Sequence, residues 1–185
     1  MSIFEGRVYI TGFMGSGKST IGPILANVLG YAFVDLDETI EARAGKPVQR
    51  IFSEEGEAAF RTLEAETLRE TAAQERVVVA LGGGALIHED TLPWVLAHGV
   101  VVYLRVPLDE LVQRLRRGRV VRPLLLDAAG RLLTTAALRE KVGAMLDHRA
   151  PFYEQAHVVV DMANQSVGVA VDEVVKALRP FNRSA

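Results

Sequence analysis

The sequence predicts an α/β protein built on a parallel sheet, and three observations carry that expectation. Short β-rich runs alternate with longer stretches of helical periodicity, the pattern of successive βαβ units. Most of those runs are almost wholly apolar, as strands covered by helices on both faces should be. The first run, Val8-Tyr9-Ile10, passes directly into a glycine-rich turn and then a helical stretch. Strands are expected at 7–11, 32–35, 76–81, 100–105 and 157–161. The main helices are expected at 19–29, 57–73, 107–117, 134–149 and 166–178, with shorter ones at 38–44, 48–54 and 89–97. Right-handed crossovers would bring all strand C-termini to one edge, where folds of this class bind ligands.

The 185 residues suit one domain, and an apolar fraction of 49% supports a substantial core. No run of about 18 apolar residues spans a bilayer, and the first residues lack the basic head and apolar core of an export signal. The absence of cysteine excludes disulfides, a thiolate nucleophile and thiolate metal sites. These features fit a cytoplasmic protein. A formal net charge of −2 gives no basic field for nucleic acid. One local concentration stands out: Arg105, Arg114, Arg116, Arg117, Arg119 and Arg122.

Gly12-Phe13-Met14-Gly15-Ser16-Gly17-Lys18-Ser19 fits GxxxxGK[ST] without a mismatch, and the strand before it and helix after it supply the required context. The glycines let backbone amides and the first helical turn point at an anion. Lys18 supplies positive charge for terminal phosphates, is expected to face solvent without ligand, and Ser19 offers a hydroxyl to Mg²⁺. This chain is read as binding a nucleoside triphosphate.

Two segments exceed a minimal nucleotide-binding core. Residues 37–61 are placed to form a substrate-binding lobe, and 116–133 to form a lid that carries arginine over phosphates and excludes water. Asp35 and Asp37 end the second strand. If extended there, their i and i+2 side chains share one side and face the ligand edge; the alternative is a helix cap. Gly82-Gly83-Gly84 ends the third strand and reads either as backbone for a small ligand to lie against or as a plain turn. Arg61 and Arg149 sit on separate helices. If they converge they can clamp a carboxylate; singly, each reads as a solvated side chain. The four histidines form no motif, and no protein-only metal site is suggested.

Taken together these features resemble the shikimate kinase family over nearly the whole chain. They occur in family order: 12–20; Asp35-Leu36-Asp37; Ile51-Phe52 with Gly56-Glu57 and Phe60-Arg61; 82–85; Arg122-Pro123-Leu124-Leu125; and Arg149-Ala150-Pro151-Phe152-Tyr153. The resemblance implies a three-layer P-loop kinase fold with a five-stranded parallel sheet flanked by helices. It implies phosphoryl transfer from ATP to the 3-hydroxyl of shikimate, with Mg²⁺, in a monomer. By the same resemblance Gly12, Gly15, Ser16, Gly17, Lys18, Ser19 and Thr20 hold ATP, and Arg114 packs over adenine. Ser19 binds Mg²⁺, with Asp35 orienting it through water. Lys18, Asp37 and Arg122 are the catalytic set, Arg122 being the lid arginine that reaches the phosphate. Asp37, Phe52, Phe60, Arg61, Gly82, Gly83, Gly84 and Arg149 meet shikimate. The rival readings are a gluconate kinase, a nucleoside monophosphate kinase, and a regulatory protein that binds the same ligands without turnover.

Overall fold

The computed structural model describes residues 4–88, 90–118 and 125–182. Its centre is a five-stranded parallel sheet with spatial order β2-β3-β1-β4-β5. The strands are β1 (Val8–Thr11), β2 (Ala32–Asp35), β3 (Val77–Ala80), β4 (Val100–Arg105) and β5 (Val158–Asp161). Each lies within a residue or two of its expected span. β1 and β3 are buried throughout, and β4 is buried up to its last residue. Their unbroken valine and isoleucine runs reflect helices on both sides, because neither face meets water.

The edge strands differ from that simple expectation. In β5, Val158 and Val160 are buried while Val159 and Asp161 are exposed, and β2 is only partly covered. An edge strand has a neighbour on one side alone, so its outer face tolerates water.

Seven helices complete the fold among the described residues: α1 (Lys18–Leu29), α2 (Leu36–Ala44), α3 (Val48–Glu70), α4 (Thr91–His98), α5 (Leu108–Arg117), α6 (Thr135–Tyr153) and α7 (Val167–Leu178). α1 and α7 pack together and reach β3 and β5 respectively, while α5 packs on α6. The faces agree with sequence spacing. Ala170, Val171, Val174 and Leu178 form the buried stripe of α7, and the Ser166 hydroxyl caps its N-terminus. Leu111, Val112 and Leu115 do the same for α5 and leave Arg116 and Arg117 outside.

Two helices depart from their expected spans in ways that bear on the site. α3 is interrupted at Gly56, whose φ of 87° and ψ of 169° are open to glycine alone at low cost. α3 packs along α2, with Arg43 of α2 paired to Glu66 and Glu70, and the two helices together span the 37–61 segment. α6 does not stop at 149; it runs through Pro151 to Tyr153, because Pro151 stands in the last turn and costs only one backbone bond there.

Short turns join strand to helix, and the chain packs tightly at the opposite sheet edge. A Cβ on Gly99, just before β4, would lie 2.6 Å from the Arg7 carbonyl oxygen and 2.8 Å from the Tyr9 ring. Backbone cannot yield as a flexible side chain does, so Gly99→Ala is expected to cost about 1–3 kcal/mol, the usual range for overpacking. Chemical denaturation checks this; an unchanged midpoint would mean the edge is looser than these distances.

Candidate active site

The phosphate-binding loop is shaped by its glycines. Gly12, Gly15 and Gly17 all adopt positive φ, and Gly17, in the left-handed region at 105°, is the N-cap of α1. Gly12 is fixed by space as well, since a Cβ there would lie 2.8 Å from the Ser16 Oγ and 2.9 Å from the Leu104 carbonyl. Ser16 is folded inside the loop, buried, with its amide donating to the Phe13 carbonyl at 3.0 Å. Lys18 departs from the expectation that it faces solvent. Its ammonium donates to the loop's own carbonyls, 2.8 Å to Gly12 and 3.2 Å to Phe13. An ammonium partly removed from water needs acceptors, and these carbonyls lie next to it.

The two carboxylates after β2 reach the site by a different route from the one expected. The chain is not extended between them: β2 ends at Asp35 and α2 begins at Leu36. Asp35 is the cap, its Oδ1 accepting from the amides of Asp37 at 3.1 Å and Glu38 at 3.4 Å. Its Oδ2 accepts from the Ser19 hydroxyl at 2.8 Å. Asp37 stands in the first turn, yet both carboxylates line one cavity of about 980 Å³ with Lys18, Ser19, Phe52 and Gly83. Ser19 and Asp35 are hard oxygen donors of the kind Mg²⁺ takes. No three His, Cys, Asp or Glu among the described residues could hold a metal ion alone. A cation at this pair would therefore draw further ligands from phosphate and water.

Asp37 is exposed at the cleft mouth in surface area, but the walls crowd its carboxyl. That partial burial is the main cause that pushes it above the ordinary aspartate value; Asp35 adds repulsion, and Lys18 and Arg61 oppose the shift.

Around Gly82–Gly84 the missing side chains make room for the protein's own charged groups. A Cβ on Gly82 would lie 2.7 Å from Glu64 Oε1 and 2.9 Å from Asp37 Oδ1. On Gly84 it would lie 2.8 Å from Arg61 Nη2, and on Gly83 3.5 Å from Arg149 Nη1. None of the three has positive φ, so space, not backbone conformation, is what Gly82 and Gly84 require, while a Cβ on Gly83 would meet only ordinary contacts.

The two arginines do converge. Arg61 and Arg149 line one cavity of about 670 Å³ with Gly84, His88 and His148. Arg61 lies over Phe60 at 5.2 Å and Phe52 at 5.9 Å, and these rings are 4.5 Å apart. Arg149 lies 5.3 Å over the Phe13 ring and donates to the Gly83 carbonyl at 3.0 Å. Planar guanidinium groups held on aromatic faces are ordered before any ligand arrives.

Two residues of the site receive no role from the sequence, although Tyr153 closes the last of the family motifs. Glu64 is buried and pairs with Arg61 at 2.7 Å. One turn after Arg61 on α3, it has the look of an ordinary surface glutamate; only the i, i+3 spacing hints at a pair. Burial pushes its carboxyl upward, Arg61 opposes this, the Asp37 charge adds to it, and His88 draws it down slightly. Tyr153, fully buried, donates its hydroxyl to the Gly83 carbonyl.

Arg114 lies against the phosphate loop, donating 3.2 Å to the Ser16 carbonyl and 2.6 Å to Glu110. Of the segment 116–133, positions 119–124 lie outside the described residues, and Arg122 with them. Residues 126–132 form a closed turn: Leu126 bridges Leu132, and the Asp127 carboxylate accepts from the amides of Ala129 and Arg131 at 2.9 Å each. No helix among the described residues is long and apolar enough to cross a membrane.

Against known families, residues 14–179 match the profile described as shikimate kinase. The shikimate kinase of Chlorobium luteolum is 45% identical over 178 residues, covering 96% of this chain and 88% of that one. That of Salinibacter ruber is 46% identical over 175 residues, covering 95% and 85%. Among solved structures, the shikimate kinase of Bacteroides thetaiotaomicron superposes with a TM-score of 0.86 at 35% identity, covering 94% of this chain and 98% of that one. The Acinetobacter baumannii enzyme, solved in complex with shikimate, gives 0.84 at 30% identity, covering 97% and 96%. A gluconokinase from Sinorhizobium meliloti shares the fold alone, at 0.58 and 21% identity.

The buried Glu64 has a measurable consequence. Its folded-state value lies above the ordinary one, so between the two the folded chain binds more protons than the unfolded chain. Stability from this group is therefore lost as pH rises through that window, and regained below it. Glu64→Gln removes the titration. Wild type is expected to lose stability relative to this variant as pH climbs from below the ordinary glutamate value through the raised one. Parallel denaturation curves at several pH values decide; a constant difference would place the Glu64 charge at no net cost.

Proposed function

The chain belongs to the shikimate kinase family, and we propose that it transfers the γ-phosphoryl group of ATP to the 3-hydroxyl of shikimate with the groups gathered at this edge of the sheet. One observation carries the assignment of residues. The phosphate loop with Lys18 and the Ser19–Asp35 pair opens into the cavity that holds Asp37, and the Gly82–Gly84 turn separates this from the cavity lined by Arg61 and Arg149. A nucleotide and a hydroxylated carboxylic acid are thereby offered adjoining sites.

Phosphoryl transfer needs alignment and charge neutralisation more than covalent participation by the protein. The amides of Gly15, Gly17, Lys18 and Ser19 cradle the phosphates at the N-terminus of α1, over Gly12 and Ser16 and beside Thr20. Lys18 exchanges the Gly12 and Phe13 carbonyls for phosphate oxygens, replacing neutral acceptors with charged ones. Ser19 and Asp35, the latter through water, would hold Mg²⁺, which would supply positive charge against the terminal phosphates. Arg114 steadies the loop and borders the base, and Arg122 meets the transferred group from the 116–133 segment acting as a lid.

Arg61 and Arg149 grip the shikimate carboxylate, Phe52 and Phe60 support the ring from the 37–61 lobe, and the Gly82–Gly84 backbone lies beneath it. Asp37 orients the nucleophilic hydroxyl and accepts its proton. A carboxylate pushed upward by burial is a better proton acceptor than an ordinary one. The arrangement works as a monomer.

Purified protein with ATP and Mg²⁺ is expected to release ADP with shikimate and far more slowly with gluconate or AMP. A preference for either of those, or no turnover with any, would overturn this reading. Asp37→Asn keeps the shape and removes the charge, so turnover should fall about 10²–10⁴-fold with ATP affinity unchanged. Turnover near wild type would reduce Asp37 to a residue of the first turn of α2.

A further inference from the structure

We propose that Tyr153 is a positioning residue for the substrate clamp, acting through the Gly83 carbonyl on Arg149. This rests on the reading that Arg149 grips the substrate carboxylate.

The Gly83 carbonyl oxygen has two lone pairs, and α6 supplies a donor to each. Arg149 Nη1 donates at 3.0 Å and the Tyr153 hydroxyl donates beside it. The two residues are i and i+4 on one helix and so occupy one face. That geometry exists only because α6 continues through Pro151; a helix ending at Arg149 would release Tyr153 from this face. The phenol ring is itself held rigidly. It is fully buried and packs on Tyr103 of β4, with centroids 5.0 Å apart. Burial also pushes the Tyr153 hydroxyl above its ordinary value, against the opposing pull of the adjacent Arg149, which keeps it a donor.

The phenol, anchored on the sheet, fixes where the Gly83 carbonyl points. That carbonyl then fixes one arm of the Arg149 guanidinium, whose face is set by Phe13. The peptide between Gly83 and Gly84 is trans and planar, so a fixed carbonyl also turns the Gly84 amide hydrogen away from α6. Without the hydroxyl, Arg149 keeps its charge but loses the fixed acceptor, and ordering it falls to the substrate. The loss should appear in shikimate affinity and leave nucleotide affinity alone.

The test is a double-mutant cycle on the whole protein, with shikimate and ADP affinities measured for each variant and thermal midpoints recorded. Arg149→Ala should weaken shikimate roughly 30- to 4000-fold, as removal of one member of a desolvated ion pair does. Tyr153→Phe should weaken shikimate roughly three- to tenfold, the loss of one neutral hydrogen bond, with ADP affinity unchanged. In the Arg149→Ala background Tyr153→Phe should cost shikimate nothing further. A second loss of equal size there would overturn the proposal, because the hydroxyl would then act without Arg149. Equal losses for shikimate and ADP, or a Tyr153→Phe protein too unfolded to bind either, would make Tyr153 a scaffold residue and overturn it too. Wild-type shikimate affinity in Arg149→Ala alone would remove the clamp reading, and the proposal with it.

Discussion

The site depends on the empty volume at Gly82–Gly84. Asp37, Glu64, Arg61 and Arg149 come from three different helices, and each has an atom within 3.5 Å of where a side chain on this turn would begin. A single methyl group at Gly82 would displace two carboxylates at once. Parallel strands deliver their C-terminal turns to one edge, but that alone crowds them. Three successive residues without side chains turn the crowding into a place where opposite charges meet.

Those charges are kept in balance before any ligand is present. Arg61 is paired with Glu64, Lys18 is held by loop carbonyls, and Arg149 is held by Gly83. Burying an ion costs heavily unless partners compensate it, so each cation here carries its own acceptor. The neutral carbonyls are the weaker partners, and an anionic ligand replaces them with gain. The Arg61–Glu64 pair is different: its acceptor is a buried carboxylate rather than a neutral carbonyl, and it orders the guanidinium that lies over the two phenylalanine rings.

Much of this is legible in the chain because it is encoded locally. The five strands, the phosphate loop and the faces of α5 and α7 arise from residues a few positions apart, where backbone geometry and side-chain period dominate. The family motifs likewise name Asp37, Arg61 and Arg149. Local reading misplaces what depends on a single hydrogen bond or on burial. The extended path from Asp35 to Asp37 gives way to a cap, since Asp35 satisfies two amides of α2 at once. Periodicity ends α6 at Arg149, whereas the helix carries Pro151 in its last turn.

By itself, then, the sequence determined the class of fold, the anion-binding loop and the identity of the charged residues. Tertiary structure alone decided their partners: Glu64 turned inward to Arg61, Lys18 turned back on its loop, and Tyr153 joined to a carbonyl 70 positions earlier. The reason is physical. Whether a glutamate or a tyrosine hydroxyl is solvated or partnered depends on what packs over it, and spacing within one helix, such as the i, i+3 step from Arg61 to Glu64, hints at a partner without showing burial. The three glycines state the same division, for their sequence announces that space is needed and only the packed fold says which side chains fill it.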